Sequence, residues 1–217
     1  MGFLTLTPTS PPKFTSWSSL SDAAAGSTPL PSYIPAGGPT GNGHSSFRAV
    51  DSQFLSAGAR TLHVAAHQGL TLVALVKFTG TGGTFERILE GGASTVTTAG
   101  ILLGRESASN DLAFKAFDSS GSRECEITCA DFIVQESWMA VTVRYDGRSK
   151  FVEVRKDNVQ QGCSATCSTE IADKAMTYLH VGKSELSGTG DGSAISGEMS
   201  DSVGLCPIPR SATLKSA

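Results

Sequence analysis

The chain has 217 residues, 17 basic and 20 acidic, with a formal net charge of -3. That length suits one compact domain of roughly 150–200 residues with an appendage, and a hydrophobic share of 39 % excludes a disordered chain. Charged residues make up only 17 %, beside 24 glycines, which excludes a helical bundle or coiled coil; the mild acidity removes any electrostatic drive toward nucleic acid or anionic membrane.

The first 40 residues carry only Lys13 and Asp22 as charges, and seven of the nine prolines (Pro8, Pro11, Pro12, Pro29, Pro31, Pro35, Pro39). Proline fixes φ and removes a donor, so no regular sheet or helix is expected there. Two readings stay open, a linker or an extended arm, with Phe3, Leu6, Phe14, Trp17 and Tyr33 as the anchors an arm would use. The opening residues lack a basic segment followed by a sustained apolar run, so a secretory signal is not expected within them. Leu6 breaks a myristoylation pattern, and no Asn carries the hydroxyl two residues on that N-glycosylation needs. No stretch reaches the ~20 apolar residues of a membrane span.

Beyond residue 44 the pattern becomes short apolar alternations. SSFRAVD and QFLSA read as strands. TLVALVKF places Leu72, Ala74, Val76 and Phe78 on one face and is nearly apolar on the other, as a strand buried on both faces would be. ERILEGG, GILLGR and DLAFKAF follow, then CEITC and DFIV as short strands. WMAVTVRY is the strongest, with Met139, Val141, Val143 and Tyr145 opposite Trp138, Ala140, Thr142 and Arg144. Asp146-Gly147 reads as a type I′ hairpin turn into FVEVRK, and Asp157-Asn158 as the next turn. CSATC, YLHVGKS and ISGEMSDSVGL complete the series. TEIADKAMTYL, with Ile171, Ala175 and Leu179 at i, i+4 and i+8, is the one helical candidate, a surface turn being the other reading. About a dozen strands at 8–12-residue spacing indicate an all-β antiparallel sandwich or jelly roll. The boundaries that follow are an arm at 1–43, a domain at 44–206 and a tail at 207–217.

The strand order carries a resemblance. F-R-A-V-D-S-Q-F-L and L-T-L-V-A-L-V-K-F open the series; W-x-A-V-T-V-x-Y-D-G from Trp138 to Gly147 precedes K-D-N, then Y-L-H-V-G-K-S and I-S-G-E-M-S-D. Over residues 44–206 the chain resembles the laminin G-like members of the concanavalin A-like lectin/glucanase superfamily. The resemblance implies a concanavalin A-like jelly roll of two curved antiparallel sheets. It also implies a non-catalytic module recognising glycans, glycoconjugates or proteins, often near a rim calcium.

Each chemical motif also has a plainer reading. Retaining glycosidases need two carboxylates about 5–5.5 Å apart; Glu124 and Glu126 alternate on one strand without a third acid, and Glu198 and Asp201 fall on opposite faces. Hydrolysis is therefore disfavoured. Asn110, Asp111 and Asp191 sit in polar loops and are the candidate calcium ligands, with simple turn formation as the alternative; no cofactor is otherwise required. His63 and His67 lie about 13 Å apart if on one strand and cannot share an ion there. His180 is expected as a solvated or hydrogen-bonded rim residue. VGKS lacks the first glycine of a phosphate loop, and no G-x-S-x-G elbow occurs.

Five cysteines form two C-x3-C pairs, Cys125/Cys129 and Cys163/Cys167, plus Cys206. Antiparallel strands would permit Cys125–Cys167 and Cys129–Cys163 bridges, and hence an extracellular or lumenal setting; free buried thiols are the other reading. Arg144, Arg148, Lys150, Arg155 and Lys156 surround one hairpin among acids, either as a solvated surface or as a patch for acidic glycan. The expected function is binding through loops 79–84, 106–111 and 187–193, with Thr84, Ser107, Ser187 and Thr189 as contacts. A structural subunit docked into a larger assembly by the arm is the alternative, and a glycan-cleaving enzyme the least favoured. The partner is then a glycan or a protein.

Overall fold

The computed structural model describes residues 31–36, 38, 43–47, 53–56, 58–65, 68–79, 85–93, 100–157, 159–184, 195–200 and 204–208. Phe3, Leu6, Phe14, Trp17, Thr84, Ser187, Thr189 and Asp191 lie outside that set. The described residues form an all-β sandwich in which every strand pair is antiparallel. The six-stranded sheet contains β3 (Leu55–Ser56), β6 (Arg87–Gly92), β7 (Ile101–Arg105), β8 (Leu112–Phe117), β9 (Arg123–Cys129) and β14 (Tyr178–Val181), in the order β3-β14-β6-β7-β8-β9. The eight-stranded sheet contains β1 (Ser32–Ile34), β2 (His44–Phe47), β5 (Gly69–Phe78), β10 (Met139–Asp146), β11 (Phe151–Lys156), β12 (Val159–Thr166), β15 (Gly197–Ser200) and β16 (Gly204–Ile208). Its order is β1-β2-β15-β5-β10-β11-β12, with β16 also paired to β5. A short ribbon of β4 (Arg60–Leu62) and β13 (Lys174–Met176) stands apart.

Strand alternation decides the core. Leu70, Leu72, Ala74, Val76 and Phe78 of β5 and Met139, Val141, Val143 and Tyr145 of β10 all point inward. They meet Ile101 and Leu103 of β7, Leu112, Phe114 and Ala116 of β8 and Ile127 of β9 in one continuous cluster. Fully burying each large aliphatic or aromatic side chain contributes about 1.5–3 kcal/mol, which makes this seam the main source of stability. Tyr145 is fully buried and its hydroxyl accepts from Ile171 N at 3.0 Å; burial pushes its phenol above the ordinary value.

Two disulfides close one side of the sandwich. Cys125–Cys167 and Cys129–Cys163 have Cα separations of 4.5 and 5.5 Å. β9 is the last strand of one sheet and β12 the last of the other, so the bridges bolt the two sheets together at one edge.

Several sequence expectations are corrected. Residues 169–179 hold no helix: Lys174–Met176 is β13, paired to β4, and Lys174 points inward to Glu124 and the Phe117 carbonyl. The 3.6-residue spacing there competed with a buried ion pair, and the pair won. DFIV is a loop whose Phe132 and Ile133 nevertheless face the core. The outward face of β5 is not covered, Val73 being 38 % exposed. The β10–β11 connection spans residues 147–150, with positive φ at Lys150 (54°) rather than a type I′ pair at Asp146-Gly147. Asp146 caps it by accepting from Arg148 N at 3.0 Å and Ser149 Oγ at 2.9 Å. Prolines do not exclude sheet either: β1 fits between Pro31 and Pro35, and Pro207 sits in β16, opposite Leu70. β16 has no further strand beside it among the described residues, and an edge strand tolerates the missing donor.

Asp173 ties the ribbon to the turn before β5. It accepts from His63 Nδ1 at 3.0 Å and from the backbone N of Val64 and Ala65, both at 2.8 Å. The His63 ring and then these amides hold its carboxyl below the usual range. A depressed carboxylate contributes stability that is complete above its unfolded value of about 3.9 and is lost as pH falls through the folded value. Asp173→Asn should therefore cost about 0.5–1 kcal/mol at pH 7, allowing for exposure, with the difference from wild type shrinking in denaturant titrations below pH 4. Reduction, or the double change Cys125→Ala/Cys167→Ala, should cost about 2–4 kcal/mol in denaturant midpoint, with the far-ultraviolet β signal retained in the absence of denaturant.

Candidate functional site

The antiparallel meander brings several described segments to one end of the sandwich: 79, 85–86, 106–111, 130–138, 182–184 and 195–196. Backbone bonds tie them together. Phe85 N donates to Ser107 O (3.1 Å), Ile133 N to Asn110 O (2.8 Å), Glu136 N to Phe78 O (2.9 Å) and Thr79 N to Ser196 O (2.8 Å). Of six non-glycine residues with positive φ among the described residues, four stand in this rim: Phe85 (60°), Ser107 (56°), Asp131 (50°) and Glu136 (58°). Such conformations cost energy and persist only where surrounding structure imposes them.

A buried ion pair supplies that imposition at Phe85 and Ser107, whereas Asp131 N donates to Asp111 Oδ1 and Glu136 N to the Phe78 carbonyl. Glu86 and Arg105 are each 1 % exposed, with Arg105 Nε donating to Glu86 Oε2 at 2.7 Å. The second oxygen of Glu86 accepts from Ser196 N at 2.9 Å. Arg105 Nη1 reaches Ser109 O at 2.7 Å and Asn110 Oδ1 at 3.1 Å, and its guanidinium lies 5.0 Å from the Phe78 ring centroid. One cation and one anion thus hold three rim segments at once. Arg87 adds a bond from Nη1 to Arg105 O at 3.0 Å. Gly104 makes the approach feasible, since a Cβ there would collide with the Glu86 carbonyl at the β6 bulge.

The rim brings together three residues singled out from sequence. Ser107 lies at the loop tip, Asn110 is held by Arg105, and Asp111 Oδ1 accepts from Asp131 N at 2.9 Å. Among the described residues no group of three or more His, Cys, Asp or Glu is arranged to hold a metal ion. Tyr33 belongs to β1, away from these loops. His180 is not solvated: it is buried, its ring 4.7 Å from Phe54 and 5.0 Å from Tyr178. Its neighbour Glu90 accepts from Tyr178 Oη (3.1 Å) and Ser184 Oγ (2.7 Å). At the basic hairpin, Arg155 and Arg144 share Glu153 at 2.9 and 3.9 Å around a shallow depression beside Phe151.

The sequence reading did not single out Glu86, Arg105, His44 or Lys77. His44 and Trp138 meet edge to face at 5.5 Å on the outward face of the eight-stranded sheet, where Glu198 accepts from Lys77 at 3.4 Å. Nothing in the spacing of HSSF or VKF signals that cluster; only the strand register assembles it.

No family model matches this chain, and no curated protein does. Solved structures do. The binding domain of botulinum neurotoxin serotype G is 10 % identical over 79 % of this chain and 41 % of its own, with a TM-score of 0.54. The enzymatically active domain of tailspike protein 2 from bacteriophage CBA120 is 14 % identical over 78 % of this chain and 26 % of its own, with a TM-score of 0.53. The CBM40 of a Ruminococcus gnavus sialidase covers 69 % of this chain and 92 % of its own at 12 % identity and a TM-score of 0.48. The likeness is one of fold, an antiparallel concanavalin A-like jelly roll.

Breaking the rim pair should be costly. Glu86→Ala leaves Arg105 buried and uncompensated, and should destabilise by about 3–5 kcal/mol, with faster endoproteinase Glu-C cleavage after Glu106. The double change Glu86→Leu/Arg105→Met should recover most of the midpoint in denaturant while leaving the 106–111 loop as protease-sensitive as in the single variant.

Proposed function

We propose that the chain is a laminin G-like recognition module that binds a glycan or a glycosylated surface through its rim loops, without catalysis. The observation carrying this reading is the strained rim backbone, four residues at positive φ, with the 85–86 and 106–111 segments fixed on the buried Glu86–Arg105 pair. Loops fixed on a rigid sandwich present hydroxyl, carboxamide and carboxylate groups to a ligand at low ordering cost. The neurotoxin domain of the same fold, named as a binding domain, lends the reading company.

A tailspike domain named as enzymatically active favours the opposite reading, and the carboxylates argue against it. Glu86, Glu124, Glu126, Glu153 and Glu198 each sit against a cation, Arg105, Lys174, Lys115, Arg155 and Lys77 respectively, so none of these five is left as a free acid–base pair. Two disulfides suit an extracellular or lumenal setting. A structural subunit is the second reading, favoured by the pairing of β1 with β2, which fixes the end of the proline-rich segment at a sheet edge.

A glycan array with the full chain, run with and without chelator, tests the first reading. Saturable binding to a defined glycan set, weakened in Asn110→Ala, is expected; no binding in either condition would overturn it. Asn110 Oδ1 already accepts from the Arg105 guanidinium and Asp111 Oδ1 from Asp131 N, an arrangement that does not fit a calcium ion, so chelator is expected to leave the binding unchanged.

A further inference from the structure

On the outward face of the eight-stranded sheet, beside the rim, four elements converge. The register places Glu198 of β15 opposite both Lys77 of β5 and Ser46 of β2. Val76, Phe78 and Met199 point into the core, so Lys77 and Glu198 point out. Met139 is also inward, which turns the preceding Trp138 outward, half-buried. The His44 ring, 95 % buried, stands edge to face against the indole with centroids 5.5 Å apart, and its Nε2 lies 3.5 Å from Glu198 Oε2. Its Nδ1 has no hydrogen-bond partner. Lys77 Nζ lies 3.4 Å from both Glu198 oxygens and 3.9 Å from Glu136 Oε2.

We infer that Trp138, Lys77 and Glu198 form a subsite for an uncharged pyranose ring, with His44 positioning the indole. The inference rests on the glycan-binding reading above. An outward indole gives a flat apolar surface for the C–H face of a sugar. The ammonium donates and the carboxylate accepts, which matches two adjacent hydroxyls. Both Lys77–Glu198 distances exceed the 2.7–2.9 Å of a closed charge-assisted pair, so each partner keeps capacity for a ligand hydroxyl. Two carboxylates, Glu198 and Glu136, flank the Lys77 ammonium, which disfavours sulfated or carboxylated sugars there.

The chain has two tryptophans, so Trp17→Phe leaves Trp138 as the sole indole reporter. Titration of that full-length variant with galactose, glucose, mannose, N-acetylglucosamine and glucuronate, to about 50 mM because a millimolar Kd is the weak limit of a useful site, is the test. A saturable fluorescence change with at least one neutral sugar is expected, absent with glucuronate and at least tenfold weaker in Glu198→Gln and Lys77→Met. Linear, sugar-independent changes, or saturable binding unaltered in both variants, would overturn the subsite. Trp138→Ala on the glycan array separates the two levels. Wild-type binding that the variant keeps in full removes the subsite and leaves the recognition reading standing, whereas absence of wild-type binding removes both.

Discussion

Arg105 must sit at the end of the core and cannot be left there unpaired. A desolvated guanidinium is tolerated only when a carboxylate and carbonyls surround it, and those groups can come only from the neighbouring loops. Glu86, Ser109 and Asn110 supply them. The chain therefore folds its rim inward onto one cation, and the loop backbones take up left-handed conformations at Phe85 and Ser107 as a consequence. Replacing the pair with apolar residues could give an equally stable sandwich, but it would release the loops. In this protein the buried charge acts on specificity of shape more than on net stability.

One lateral edge of the sandwich is governed by covalent constraint. β9 and β12 are the terminal strands of their sheets and have no hydrogen-bonded neighbour beyond them among the described residues. Two disulfides join them, with Lys174 and Glu124 buried beside the first through Cys125 and the Phe117 carbonyl. A small sandwich with a bolted edge and a charge-locked rim leaves its outward sheet faces free to carry contacts.

Strand order and the inward set of β5 and β10 were legible because alternation has a period of two and each of these strands has one buried face. The C-x3-C pairs displayed their compatible register openly. Buried ions were not legible: nothing local in the sequence distinguishes Arg105, Glu86 or Lys174 from a solvated charge. The 169–179 stretch offered a helix or a surface turn because Ile171, Ala175 and Leu179 share helical spacing, whereas the fold is decided there by Lys174 reaching Glu124 across 50 positions of sequence. Trp138 sat on a strand whose other face is core, and its outward partner His44 is 94 positions away in the chain, joined only through the order β2-β15-β5-β10.

Recognition by a preorganised rim is read most directly by amide hydrogen exchange on the full chain, with and without a bound glycan. It predicts slow exchange of the Phe85, Arg105 and Ile133 amides in the free protein, with further protection on binding concentrated in residues 106–111 and 131–138. Fast exchange at those amides in the free protein, or ligand protection confined to the β10–β11 hairpin, would contradict it.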